Sequence, residues 1–161
     1  MTQTFFKDIF DNHFDAVRNY IYYRSGDVEV ATDIAQETFM KIWEKQIDNE
    51  TSNIKGLLFK IAGDLFISNY RRQKKLANFK LRLVPSIENQ SPEDNMQFKE
   101  LVNKYDFALT KLPEKQRVVF LMSRMDNMKY HEIANAVGIS IKAVEKRMKL
   151  ALLYLKKELD Y

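Results

Sequence analysis

The 161-residue chain contains no cysteine. That excludes a disulfide framework, a thiolate nucleophile and Cys-ligated zinc. Its two histidines, His13 and His131, stand far apart in the chain, so a multi-His metal site cannot be built. Four glycines leave no room for a glycine-rich phosphate loop or for many tight turns. There is no apolar run near the ~18 residues that a membrane span needs. Residues 1–8 lack a basic region ahead of an apolar run, so they do not read as a secretory signal, and the cytoplasm is the expected location.

What is present is 45% hydrophobic residues, enough to rule out wholesale disorder. Scarce Gly and Pro beside abundant Lys, Glu, Leu and Met predict an all-helical protein of one ordinary domain or two small ones. The formal net charge is only +4, which by itself argues little. Its distribution says more. Residues 1–70 hold 7 basic and 11 acidic side chains. Residues 71–82 hold Arg71, Arg72, Lys74, Lys75, Lys80 and Arg82 and no acid, and residues 98–161 hold 13 basic and 8 acidic side chains. An acidic front followed by two basic zones suggests more than one kind of partner. Taken alone, the 71–82 run also fits a solvated helix end, where cations complement the dipole.

Along the chain, Phe5, Phe6, Ile9, Phe10, Phe14, Val17 and Ile21 recur at helical spacing over residues 3–24. Gly26 then Asp27 read as a stop and an N-cap. A second helix over about 28–45 carries an apolar stripe of Ala31, Ile34, Ala35, Thr38, Phe39, Ile42 and Trp43. Residues 46–53 are polar and aperiodic, and Ser52 or Asn53 can cap a third helix over about 54–76. That helix buries Leu57, Leu58, Ile61, Ala62, Leu65 and Phe66. Gly63 in its middle marks either a close approach or a neutral position. Residues 81–91 lose periodicity and read as a linker. Ser91-Pro92-Glu93-Asp94 then starts a helix with Phe98, Leu101, Val102, Tyr105 and Leu109 inward. Pro113 opens another, carrying Val118, Val119, Leu121 and Met122. Two elements close the chain, at 130–137 and 141–159. The expected units are thus a three-helix one at 1–80 and a four-helix one at 92–161.

The last two elements hold the most specific pattern. Gly138 can take the left-handed conformation that ends the first of them, and Ser140 can cap the second. Ala134 is small enough for two helices to cross closely, with Ile133, Ile139 and Val144 between them. This is the spacing of a helix-turn-helix. Its second helix leaves Ser140, Lys142, Ala143, Glu145, Lys146, Arg147 and Lys149 at or near the surface. In such a motif those residues face base edges and phosphates in the major groove.

Two segments then resemble a known family. Residues 33–43, Asp-Ile-Ala-Gln-Glu-Thr-Phe-Met-Lys-Ile-Trp, look like the core-polymerase-binding helix of bacterial sigma factors. Residues 112–121, followed by Tyr130-His131-Glu132-Ile133-Ala134, resemble the opening of their promoter-binding C-terminal domain. With two helical domains and a short linker, the chain is similar to the extracytoplasmic-function (ECF) group of the sigma-70 family. The resemblance implies binding to the clamp and flap of core RNA polymerase, with Asp33, Gln36, Glu37 and Lys41 as exposed candidates and Phe39 and Trp43 in the core. It implies that the third helix and the 46–53 loop meet the minus-10 promoter element and capture an unstacked base. The residues concerned would be Asp64, Ser68 and Asn69, with Arg71, Arg72, Lys74 and Lys75 holding phosphates. The helix-turn-helix would read the minus-35 element. An anti-sigma partner, often membrane-bound in this family, is also implied; a cofactor is not.

One departure stands out. The family usually carries Ala-Arg-Asn or similar where this chain reads Ala62-Gly63-Asp64. An ionised Asp only accepts hydrogen bonds and repels phosphate. Either the promoter presents a donor there, such as cytosine N4, or Asp64 turns away from DNA. A regulator that binds duplex DNA without polymerase is the alternative reading. A helical enzyme is disfavoured because nothing forms a nucleophile–base pair or a metal cluster.

Overall fold

The computed structural model describes residues 1–48, 50–73 and 92–160, without the side chains of residues 70–73 and 92–95. Seven helices and no strand occur among them: α1 (Gln3–Ser25), α2 (Val28–Glu44), α3 (Ile54–Gln73), α4 (Pro92–Lys111), α5 (Glu114–Arg124), α6 (Tyr130–Val137) and α7 (Ile141–Glu158). The expected all-α class is observed. The linker at 81–91, the Ser91 cap, and Lys74 and Lys75 lie outside the described residues.

Local chemistry sets the helix ends. The Thr2 hydroxyl accepts from Phe5 N at 3.2 Å to start α1, and Gly26 at φ 66° ends it. Asp27 Oδ1 then accepts from Glu29 N at 2.9 Å and Val30 N at 3.2 Å to start α2. Asn53 caps α3, its Oδ1 accepting from Gly56 N at 2.9 Å. Because a helix needs its first N–H groups satisfied, these side chains decide where each element begins.

Helices α1–α3 pack around an aromatic core. Phe6, Phe10 and Phe14 line up along α1 and meet Phe39 of α2, with ring centroids 6.4, 5.1 and 5.7 Å away. Thr38 is fully buried, its hydroxyl donating to Ile34 O at 2.7 Å, which is how a polar side chain sits in this core. Trp43 departs from expectation. It is 37% exposed, because one residue beyond Ile42 the helix turns it to the rim, edge-on to Phe6 at 5.1 Å. Helices α4–α7 pack around aliphatic and Met side chains, with Leu109, Leu121, Met122, Ile133, Val144 and Met148 buried. Leu101 also departs from expectation, being exposed. The inward row of α4 runs through Phe98, Val102, Tyr105 and Leu109, and Leu101 falls on its flank.

The two helical units are not apart. Helix α1 lies against α5, and α3 against α6. Arg117 of α5, only 6% exposed, reaches the end of α1, where its Nε donates to Tyr23 O at 2.9 Å and its Nη2 to Arg24 O at 3.2 Å. Nη1 donates to Leu112 O at 2.9 Å within its own unit. A helix's last carbonyls lack partners of their own and carry partial negative charge, so a guanidinium from the neighbouring unit suits them. Asp126 Oδ1 accepts from Tyr23 Oη at 2.9 Å and Asn19 Nδ2 at 3.1 Å. Burial pushes the Asp126 carboxyl above its ordinary value despite both hydrogen bonds.

Candidate nucleic-acid interface

The helix-turn-helix forms as its spacing predicts. Gly138 takes φ 76°, and the N–H groups of Gly138 and Ile139 donate to Ala134 O at 2.9 and 3.0 Å. Ser140 Oγ accepts from Ala143 N at 3.1 Å and starts α7. Glu132 reaches back to accept from Lys129 N at 2.8 Å, and that bond holds its carboxyl below the usual range. Ile133 and Val144 are fully buried where α6 and α7 cross, and Ile139 is half-buried.

Helix α7 points Val144, Met148, Ala151 and Leu155 inward. That leaves Ser140, Lys142, Glu145, Lys146 and Lys149 exposed, with Ala143 and Arg147 half-buried. Lys142, Lys146 and Lys149 make no ion pair among the described residues. The outer face of α7 is therefore a row of unneutralised cations around one acceptor, a composition suited to phosphates and base edges. Arg147 points elsewhere. It lines a cavity of about 690 Å³ between the units, beside Gly138 and Ile139 of the turn.

Helix α3 supplies the opposite wall of that cavity through Lys60, Gly63, Asp64 and Ile67. Asp64 and Ser68 are exposed and Asn69 is half-buried. Arg71 and Arg72 lie in the last turn of α3, with side chains outside the described residues. Asn53 at the start of α3 and Asn135 of α6 exchange amide hydrogen bonds of 3.0 and 3.3 Å across one rim.

On the far side of the first unit, α2 exposes Asp33 and Gln36, while Glu37 and Lys41 form a loose ion pair at 3.9 Å. Beside them runs an apolar groove of about 610 Å³ lined by Phe6, Phe10, Phe39, Met40 and Trp43. Met40 is 61% exposed. The sequence reading passed over it, although an apolar residue off the buried stripe of an amphipathic helix is a legible sign of a sticky surface.

Comparison with known proteins identifies both halves. Residues 9–76 match the family described as sigma-70 region 2, and residues 103–155 match sigma-70, region 4. The ECF RNA polymerase sigma factor SigW of Bacillus subtilis is 30% identical over 169 residues, covering 98% of this chain and 90% of that protein. This chain belongs to the ECF sigma factors of the sigma-70 family. Sigma factors bind RNA polymerase and direct it to initiate at specific promoters. The ferric citrate uptake sigma factor FecI of Escherichia coli is 28% identical over 143 residues, covering 88% of this chain and 83% of the relative. The fold is also that of the sigma factor RpoE solved in complex with the anti-sigma factor NepR from Bartonella quintana. That structure matches with a TM-score of 0.70 at 23% identity, covering 96% of each chain.

Proposed function

We propose a division of labour within this sigma factor. The unit at residues 1–80 binds core polymerase and meets the minus-10 element, residues 81–91 connect, and the unit at 92–161 reads the minus-35 element. Asp33, Gln36, Glu37 and Lys41 on α2 dock on the polymerase clamp, and the second unit docks on the flap. Ser140, Lys142, Ala143, Glu145, Lys146, Arg147 and Lys149 face the upstream duplex. Asp64, Ser68 and Asn69 meet the downstream strand, with Arg71, Arg72, Lys74 and Lys75 on its phosphates. The observation that carries this reading is the unpaired cationic outer face of α7, set in the second helix of a helix-turn-helix. Arg147 lines the cavity between the units, so its part in upstream reading requires them to separate.

The chain works in the cytoplasm, where polymerase and promoter are. It performs no chemistry itself and places another enzyme's active site on DNA. An anti-sigma factor that covers the polymerase- and DNA-binding faces is its expected inhibitor, as NepR is the partner of the structurally similar RpoE. Run-off transcription with purified core polymerase tests the reading. Promoter-specific transcripts that depend on this chain support it. Duplex binding without polymerase and no stimulated initiation would overturn it in favour of a simple helix-turn-helix regulator.

A further inference from the structure

Helix α3 lacks a side chain in the middle of its cavity face, at Gly63. The space beside it is bordered by another helix, at ordinary van der Waals distance. A Cβ at Gly63 would lie 3.4 Å from Tyr20 Oη and 3.6 Å from Arg24 Nη1, both from α1. The Arg24 guanidinium is fixed there by several contacts. Its carbon sits 4.5 Å from the Phe66 ring centroid and 5.6 Å from that of Tyr20, and Nη1 donates to Tyr20 Oη at 3.2 Å. All of these partners belong to the first unit, so the guanidinium is held in place whatever the second unit does. Its anionic partner does not belong to the first unit. Nε donates to Glu114 Oε1 of α5 at 2.7 Å, and no acid of α1–α3 comes within ion-pair distance among the described residues.

Arg24 therefore resembles a preformed anion site whose occupant is a carboxylate lent by the other unit. The same wall carries Asp64, whose charge would repel a DNA backbone, and Lys60. When the units separate, Glu114 leaves with α5, and the guanidinium remains stacked on Phe66 with no acid of the first unit at ion-pair distance. A phosphate matches the fork geometry of an arginine as well as a carboxylate does. We infer that Arg24 is a phosphate-binding residue of the first unit's DNA face, and that Glu114 occupies it in the closed chain in place of a promoter phosphate. A cation supplied by α1 thus offsets the acid at position 64 of α3.

This inference rests on the proposed function, and its test separates the two. Holoenzymes carrying wild-type chain, Arg24→Gln or Arg24→Lys are titrated with salt on a duplex promoter chosen for run-off activity. Loss of one phosphate contact flattens the log–log salt slope by about 1 and weakens promoter binding several-fold, roughly equally across promoters. Arg24→Gln should show that loss and Arg24→Lys should retain the slope. An unchanged slope in Arg24→Gln, or an equal loss in Arg24→Lys, overturns the inference. Without polymerase, the free chain is titrated with fluorescent oligodeoxythymidine. Glu114→Gln should bind it several-fold more tightly than wild type, and the Arg24→Gln, Glu114→Gln double variant should lose the gain. No gain in Glu114→Gln, or a gain that survives in the double variant, overturns it. A wild-type holoenzyme without promoter-dependent transcripts would count against the sigma-factor reading instead, and the oligonucleotide comparison would still decide the role of Arg24.

Discussion

Inside each unit the largest fully buried side chains are apolar, with Phe39, Ile42 and Leu58 in one and Leu121, Ile133 and Met148 in the other. The seam between the units adds polar links to an apolar core that runs through both. There the Arg117 guanidinium caps the end of α1, Arg24 pairs with Glu114, Asp126 accepts from Tyr23 and Asn19, and Asn53 and Asn135 exchange amides. Apolar surface has no partner in water, so opening a core exposes it at about 25 cal/mol per Å². Polar groups exchange one partner for another. A neutral hydrogen bond contributes only about 0.5–1.5 kcal/mol net, and one from a charged group such as the Arg117 guanidinium about 1.5–3 kcal/mol. The comparison teaches that the polar links of the seam are easier to exchange for water than either core is to open.

Four predictions break or sharpen that contrast. The largest effect belongs to the core. Phe39→Ala removes the ring on which Phe6, Phe10 and Phe14 converge, and should cost about 3–5 kcal/mol of stability in the first unit, read by chemical denaturation. A loss below 1 kcal/mol would mean that the aromatic cluster is not the core. Next comes the seam. Arg117→Met strips the donors from the last carbonyls of α1 and should disfavour the closed arrangement by about 1–3 kcal/mol. Small-angle scattering should then show a more extended chain with both units still helical; an unchanged profile would mean that Arg117 does not hold the seam.

A third substitution touches neither region. Lys146→Ala on the outer face of α7 should leave denaturation and scattering unchanged and lower minus-35-dependent transcription several-fold, roughly 1 kcal/mol. Unaltered promoter preference would remove Lys146 from the reading face. The smallest effect is one of pH. Burial raises the Asp126 carboxyl in the closed chain, so the protonated form is favoured there. Closure should strengthen as pH falls through the carboxylate range and weaken as pH rises through the raised value. Asp126→Asn should remove that component, its amide oxygen still able to accept from Tyr23 and Asn19. His13, whose value burial and Lys55 depress, titrates with the opposite sign and is common to both proteins. Identical compaction curves for wild type and variant between about pH 3 and 7, a window spanning the ordinary carboxylate and imidazole values, would refute the assignment.

Much of this was legible along the chain. Gly26 before Asp27, Asn53 before α3, and Gly138 with Ser140 are one-residue signals, because capping satisfies groups within three or four positions of the cap. The outer face of α7 was equally legible, Arg147 apart, since a helix period of 3.6 assigns sides once Val144, Met148 and Ala151 are known to be inward. Trp43 and Leu101 were misplaced for a related reason. Both lie one step from an inward row, where periodicity leaves rim and core undivided and the neighbouring helix decides. Gly63 read equally as a close approach or a neutral position; that Tyr20 and Arg24, some forty positions earlier, stand next to it depends on how α1 crosses α3.

The sequence by itself determined the seven helices' chemistry: all-α composition, the caps, the helix-turn-helix, the two sigma-70 regions and the division of charge between front and back. Each of these rests on local spacing, which needs no knowledge of the rest of the chain. Tertiary structure alone decided that α1 meets α5 and α3 meets α6, that Arg117 is buried against carbonyls of the other unit, and that Arg24 and Glu114 neutralise each other over Gly63. The hydrogen-bonded and ion pairs that bridge the units join residues 82 to 107 positions apart. No period or motif encodes such a separation, and only the folded path of the backbone brings the charges within reach of one another.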